Sequence, residues 1–292
     1  MQRYTVFILF ATVVTVVVGA GLALAGGSQG VQFRGISVFA LCTAAAFLIN
    51  WLAFIPATIM QTEKFYDLVG SLTYLSVVGL AVLLSSGMDL RAILVASMVT
   101  VWAIRLGSFL FVRIHQDGTD DRFDEIKRSV PRFLFAWTMQ GLWVIFTAAA
   151  ALAIITSDQR LPLGWLGIIG ALVWGCGFAI EVIADAQKRA FKRDITNRGE
   201  FIRHGLWAWS RHPNYFGEIT LWAGIALMAI PVISGWQWVV MISPIFVYLL
   251  ITKISGIPTL QKKAAARWGD DAAYQDYVRR TSRLVPMPPK SG

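Results

Sequence analysis

FLFAWTMQGLWVIFTAAAALAIIT, residues Phe133–Thr156, contains no charged side chain. Wound as a helix at 1.5 Å per residue, it is about 36 Å long, enough to cross the roughly 30 Å hydrocarbon core of a bilayer. No water reaches that depth, so a lone spanning segment must satisfy its own backbone, and a helix is the form that does so. Outward from this stretch the pattern repeats. Apolar runs of spanning length cover Tyr4–Ala25, Gly35–Ile59, Tyr66–Ser86, Ala92–Val112, Leu163–Ile183, Tyr215–Pro231 and Trp236–Ile254. Short links at Gly26-Gly27-Ser28, Ser85-Ser86-Gly87, Ser157-Asp158-Gln159 and Ser234-Gly235 join them as tight helical hairpins. The expected fold is all-α: a polytopic integral membrane bundle of seven to eight transmembrane helices. It forms a single domain over residues 1–292, with N-terminal helices over 1–112 and a polar C-terminal part over 175–290.

Composition agrees with this reading. Of 292 residues, 56% are hydrophobic and 15% charged, with a mean hydropathy of +0.60, which sets aside a soluble globular enzyme. The net charge of +9 points to anionic lipid and cytoplasmic loops rather than nucleic acid. Cys42 and Cys176 both lie in apolar runs, without a disulfide framework or a metal-ligand spacing, so no metal is expected. There is no G-x-G-x-x-G fingerprint. Ala23-Leu24-Ala25 resembles a signal-peptidase site, but the apolar stretch before it exceeds a signal core, and it is expected to persist as a helix.

Lys and Arg set the orientation. Arg3, Lys64, five residues from Arg113 to Arg132, seven from Lys188 to Arg211 and seven from Lys262 onward fall on one side. Only Arg34, Arg91 and Arg160 fall on the other. The bias places both termini in the cytoplasm. Trp51, Trp165, Trp207, Trp209, Trp236 and Trp238 near predicted ends fit interfacial belts. Gly164, Gly167 and Gly170 suit close helix packing.

Ionisable groups are costly at bilayer depth, so those within or bordering spans are the informative ones. They are Glu63, Asp67, Arg105, Glu181, Asp185, Glu218 and Lys253. All but Arg105 sit toward the cytoplasmic ends, which points to a polar cavity open on that side. If the sixth helix continues past the membrane, Glu181, Asp185, Lys188, Arg189 and Lys192 share one face, a stripe from buried acid to exposed base. Such a stripe suits a long ligand with a polyanionic end in water; snorkelling, structural ion pairs or a surface helix on anionic lipid are the plainer readings. The polar stretch Thr196–Ser210, with Arg198, Arg203 and His204, is long enough to fold over a cavity. Next comes Arg211-His212-Pro213-Asn214-Tyr215-Phe216-Gly217-Glu218, with Pro213 suited to a first helical turn and Asn214 and Glu218 on one face. The basic tail carries Arg267, Tyr274, Tyr277, Arg279, Arg280 and Arg283; it reads as a surface helix or as a cap on the cofactor end.

The Arg211–Glu218 motif, opening a helical hairpin and followed by Tyr274, Tyr277 and Arg283-Leu284-Val285-Pro286, resembles the steroid 5α-reductase family of membrane reductases, in particular its bacterial relatives, over about Gly175–Pro286. Isoprenylcysteine carboxyl methyltransferases and phospholipid methyltransferases share the Arg-His-Pro-Asn-Tyr core, so it implies a cofactor site without naming the cofactor. The resemblance implies NADPH in a cavity open to the cytoplasm and reduction of the C=C bond of an enone lipid, such as a 3-oxo-4-ene steroid. It assigns cofactor binding to Asp185, Arg189, Lys192, Asn214 and Glu218, with Arg203, Arg211, His212 and Tyr215 close by. It assigns the substrate end to Gln61 and Glu63. Aligning the family's tyrosine helix on Arg105 puts Trp102 at the phenol position, so Tyr66 and Tyr74 are the candidate hydroxyls.

Enone reduction needs hydride at the β-carbon, a proton at the α-carbon, and donors on the carbonyl oxygen, where charge develops. A carboxylic acid in an apolar cavity is kept neutral by desolvation, so Glu63 is expected as one such donor. The alternative is an S-adenosylmethionine-dependent methyltransferase of prenyl-cysteine or phospholipid. That cofactor is cationic at sulfur and lacks phosphates, so it has no need of so many bases. A transporter built of two related halves is a third class, and the sequence shows no such symmetry.

Overall fold

The computed structural model describes the backbone of residues 2–117 and 123–290, and the side chains of 3–110 and 123–290. Arg113 and Arg122 of the basic loop therefore lie outside the described side chains. Among the described residues, eight helices are long and apolar enough to cross a membrane: Arg3–Gly26, Val38–Ile59, Tyr66–Leu84, Leu90–Leu110, Val130–Ile155, Gly164–Arg193, Pro213–Val232 and Gly235–Trp268. The protein is a polytopic helical membrane protein.

The chain divides into two compact units, Met1–Gly167 with Met228–Ser243, and Ile168–Leu227 with Pro244–Gly292. The first holds α1 (Gln2–Gly26), α2 (Val38–Ile59), α3 (Tyr66–Leu84), α4 (Leu90–Asp117) and α5 (Val130–Ile155). α5 is its centre and packs against each of α1 to α4. Of its most apolar window 83% is buried, against 39% or less in the other four. Phe133 and Trp137 are fully enclosed among Ala57, Tyr66 and Phe123. Hydroxyls inside these helices are mostly satisfied by the carbonyl one turn back, as Thr12 (2.9 Å), Thr43 (3.1 Å) and Thr138 (2.8 Å) show. The segment Met228–Ser243 returns to this unit: Gln237 Nε2 donates to the Gly26 carbonyl (3.2 Å), and Ser243 Oγ to the Thr147 carbonyl (2.5 Å).

Two departures from an all-α expectation have local causes. Between α1 and α2 lies a small antiparallel hairpin, β1 (Gln32–Phe33) with β2 (Ile36–Ser37). Its two-residue turn, Arg34-Gly35, has φ of 51° and 81°, the twist that matches paired strands. The run expected as one helix over Trp236–Ile254 is a series of forms: 3₁₀ over Gly235–Met241, α9 (Ile242–Leu249), then a π-turn over Leu250–Ile254. Pro244 lacks the N–H that a regular ladder needs there, and Gly256 with Pro258 restarts the chain as α10 (Ile257–Trp268).

The second unit holds α6 (Gly164–Arg193, apart from its first turn), α7 (Leu206–Trp209), most of α8 (Pro213–Ala229), α10 and α11 (Ala272–Arg280). α6 runs unbroken from apolar span to basic end, and Asp271 caps α11 by accepting from Ala273 N (2.8 Å).

Candidate functional site

The site begins with missing side chains. A Cβ on Gly217 of α8 would lie 2.6 Å from the Gly177 carbonyl oxygen and 2.7 Å from Glu181 N on α6. One on Gly224 would lie 2.6 Å from both the Gly170 carbonyl oxygen and Trp174 N. Two glycines seven residues apart on each helix thus bring the backbones into contact. Gly170 takes part as the sequence suggests. Gly164 instead starts α6 at φ +62°, and Gly167 packs on Leu163.

That contact sets the polar ends of the two helices side by side. Asn214 Nδ2 donates to Asp185 Oδ1 (3.1 Å), with Asp185 and Glu181 both buried. His212, just before α8, is buried, and its ring lies nearly parallel to that of Tyr215 at 5.8 Å. Its N–H donates to Ser210 Oγ (3.1 Å).

Beyond these residues opens a cavity of about 490 Å³, within the range of small-molecule sites. Six bases line it, Lys188, Lys192, Arg198, Arg211, Lys263 and Arg267, against one carboxylate, Glu200. Aromatic rings supply much of the remaining wall: Phe191, Phe201, Trp207, Trp268, Tyr274 and Tyr277. Phe201 meets Tyr274 edge-on at 5.1 Å, and Lys188 Nζ lies 4.7 Å from the Trp207 ring centre. Burial, then the charges of Lys188, Arg211 and Arg283, push His212 down to about 3, so its imidazole is neutral. Burial also lowers Arg211 below its ordinary value, and its Nε is enclosed without a hydrogen-bond partner. Burial raises the Tyr277 phenol, which stays protonated and donates to the Trp207 carbonyl (2.7 Å).

The tail is stitched to this wall. Arg211 N donates to the Ser282 carbonyl (2.8 Å), Ser210 Oγ to the Leu284 carbonyl (2.7 Å), and Met287 N to the Trp209 carbonyl (3.0 Å). On the far side Trp268 Nε1 donates to the Gly199 carbonyl (2.6 Å). Residues of α10 and α11 form part of the cavity wall.

Of the residues expected at the cofactor, Lys192, Arg211 and His212 line the cavity, and Asp185 and Asn214 are bonded to each other. Glu218 and Tyr215 lie half-buried on α8. Arg189 and Arg203 are exposed and not among the lining residues: Arg189 is one position off the Lys188–Lys192 face, and Arg203 sits over Phe201 at 5.5 Å. Lys188, already on the stripe, is a lining residue. Lys263, Phe191 and Phe201 were not singled out by the sequence, since nothing local marks them.

The residues expected at the substrate end belong to the first unit. Gln61 is exposed at φ 49°, its amide donating to the Thr58 carbonyl (2.9 Å). Glu63 is buried, and its carboxylate accepts from Lys127 Nζ at 2.8 Å, an ion pair where a neutral acid was expected. Asp124 also pairs with Lys127 (3.2 Å). Tyr66 donates to the Ala136 carbonyl (2.9 Å) between the rings of Phe123 and Trp137. Tyr74 stands edge-on to Trp102 at 5.1 Å. Among the described residues no group of three or more His, Cys, Asp or Glu could hold a metal ion.

Comparison with known proteins returns two chemistries. The chain is 28% identical over 123 residues to steroid 5-alpha-reductase DET2 of Gossypium hirsutum, 42% of this chain and 43% of that protein. It is 27% identical over 103 residues to the probable O-methyltransferase ustE of Ustilaginoidea virens, 35% of this chain and 36% of that protein. These matches thus span about two-fifths of the length of either relative. No solved structure matches. A family model described as protein of unknown function (DUF1295) matches residues 53–281, and the chain belongs to that family.

Proposed function

We propose that this protein is an NADPH-dependent membrane reductase that transfers hydride to the C=C bond of an enone lipid, such as a 3-oxo-4-ene steroid, at a site opening to the cytoplasm of a bacterial inner membrane. The observation that carries the reading is the donor set of the cavity. Six bases with one carboxylate, an enclosed Arg211 Nε without a partner, and a wall of aromatic rings suit a planar heteroaromatic ligand bearing several phosphates. S-adenosylmethionine, with its positive sulfur and no phosphate, would meet repulsion there. The similarity to a steroid 5-alpha-reductase supports the same side.

Bound NADPH supplies the hydride. Lys188, Lys192 and Arg211 hold the phosphates, the aromatic wall excludes water around the base, and Asp185 with Asn214 and Glu218 offers donors and acceptors to the ribose or carboxamide. The carbonyl end of the substrate is assigned to Gln61, Glu63 with its partner Lys127, and one of the two candidate hydroxyls, Tyr66, which donates to the Ala136 carbonyl, and Tyr74. Donors on the carbonyl oxygen stabilise the enolate-like transition state, and removing one costs about a hundredfold or more in rate.

The test is to purify the protein in detergent and follow NADPH, and separately NADH, with a 3-oxo-4-ene steroid. Steroid-dependent oxidation is expected. Arg211→Ala should weaken NADPH binding about tenfold or more, the loss of a charge-assisted contact, and Glu63→Gln should abolish turnover with binding intact. Tight binding of S-adenosylmethionine without NADPH binding would replace this reading with a methyltransferase.

A further inference from the structure

Within the second unit, the chain after α11 is laid against the residues that precede α8. Met287 N donates to the Trp209 carbonyl (3.0 Å), Ser210 Oγ to the Leu284 carbonyl (2.7 Å), and Lys290 N to the Arg280 carbonyl (3.1 Å). These bonds bring three large apolar side chains into one neighbourhood, and each is about half uncovered: Trp209 is 49%, Val285 49% and Met287 50% exposed. None of them lines the cavity. A single exposed apolar side chain needs no explanation, but a group of them marks a contact surface.

Its place in the chain says which contact. Trp209 stands just before Pro213, where a membrane-spanning helix begins. Arg283 Nη2 donates to the carbonyl of Thr252 (3.2 Å), in the turn that closes the apolar run ending at Ile254. The patch therefore sits where spans of this unit leave the hydrocarbon, the level at which Trp is favoured. Charge agrees with that place. From Ala272 to Lys290 the chain carries four bases, Arg279, Arg280, Arg283 and Lys290, against one carboxylate, Asp276. Lys253, next to Thr252, is exposed as well. Pro286, Pro288 and Pro289 have no N–H, and that of Met287 is already bonded, so this stretch leaves water with few unmet donors.

We propose that Trp209, Val285 and Met287 seat in the headgroup region of the adjoining leaflet, with Arg279, Arg280 and Lys290 on the phosphates of anionic phospholipids. A zwitterionic surface would cover the apolar side chains and leave the net charge of the segment unanswered; an anionic one meets both. The segment continues from Tyr274 and Tyr277 of the cavity wall, so the lipid surface holds that wall in place. The assignment goes beyond the reductase reading and does not depend on what the cavity binds.

The experiment puts a nitroxide on Met287→Cys in the full chain, with Cys176→Ser to remove the exposed native thiol; Cys42 is buried. The protein is held in nanodiscs of phosphatidylcholine with and without phosphatidylglycerol. Depth is read from collisions of the label with oxygen, which concentrates in the bilayer, and with a water-soluble nickel chelate. Oxygen collisions should dominate with phosphatidylglycerol, and nickel collisions without it. Arg280→Gln with Lys290→Gln should lower the ratio of seated to unseated label roughly 25-fold, at about fivefold per base near an anionic surface. Salt at about 1 M, where the screening length falls to about 3 Å, should unseat the label with both bases in place, a readout free of any folding defect in the variant. A label in water in both bilayers, which leaves the patch to a protein partner, overturns the proposal. So does equal depth in both, or seating by inorganic phosphate in phosphatidylcholine alone. NADPH affinity, measured on the same discs, reports on the cofactor reading separately.

Discussion

Helices in the first unit meet through large side chains: Phe133 and Trp137 of α5 fill the space against Tyr66 and Phe123, with ring centres 4.8–6.3 Å apart. In the second unit α6 and α8 meet through glycines, backbone against backbone. The difference matches what each arrangement holds. A core filled by rings leaves its polar groups to satisfy themselves locally, as Thr12, Thr43 and Thr138 do. A glycine seam brings the helix ends side by side: there Asn214 bonds Asp185, and Lys188, Arg211 and His212 line the cavity.

Opposite substitutions should therefore do damage in the two places. Trp137→Ala takes a fully enclosed ring from the first unit and should cost about 3–5 kcal/mol in unfolding from mixed micelles, the scale of aromatic truncation in a packed core. Gly217→Ala adds one methyl to the seam and should cost about 1–3 kcal/mol, with NADPH binding lost because Asn214 can no longer reach Asp185. If Gly217→Ala left both stability and affinity unchanged, the seam would be a coincidence of packing rather than the support of the site.

The spans were legible because hydropathy is a local property: each run of about 20 apolar residues declares itself without reference to the others. The centrality of α5 was not, since its composition barely differs from that of α2. At the site, Lys188 and Lys192 were readable from their four-residue spacing, and Asn214 from its place beside Pro213. Lys127 lies 64 residues from Glu63, and Phe201 and Lys263 reach the cavity only through the path of the chain, so no spacing announces them. The glycine seam carried a signal that went unused. Gly170 with Gly177, and Gly217 with Gly224, repeat at seven residues, two turns on one face.

A smaller effect is expected where the tail is stitched down. Ser210→Ala removes the hydrogen bond to the Leu284 carbonyl and the acceptor for His212 N–H. It should cost about 1–3 kcal/mol, the penalty of leaving a buried group unmet. The sharper readout is limited proteolysis: the segment after Arg280 should become cleavable while the α5 core stays protected. Equal protection of the tail in both proteins would mean that α11 alone holds it.

The last effect is a slope with pH. His212 titrates near 3 in the folded protein against an ordinary 6.5. Between those values the unfolded chain binds a proton that the folded one refuses. Its contribution to stability is complete above pH 6.5 and is lost as pH falls toward 3. His212→Gln should flatten the dependence of the unfolding midpoint on pH in that window and leave it unchanged above it. A bound polyanion would offset the charges of Lys188, Arg211 and Arg283 that help hold the imidazole neutral. The histidine should then rise toward its ordinary value, and nucleotide affinity should increase as pH drops below 6.5 in the native protein but less so in the variant. Identical affinity profiles in the two would place the phosphates away from His212, toward Lys263 and Arg267.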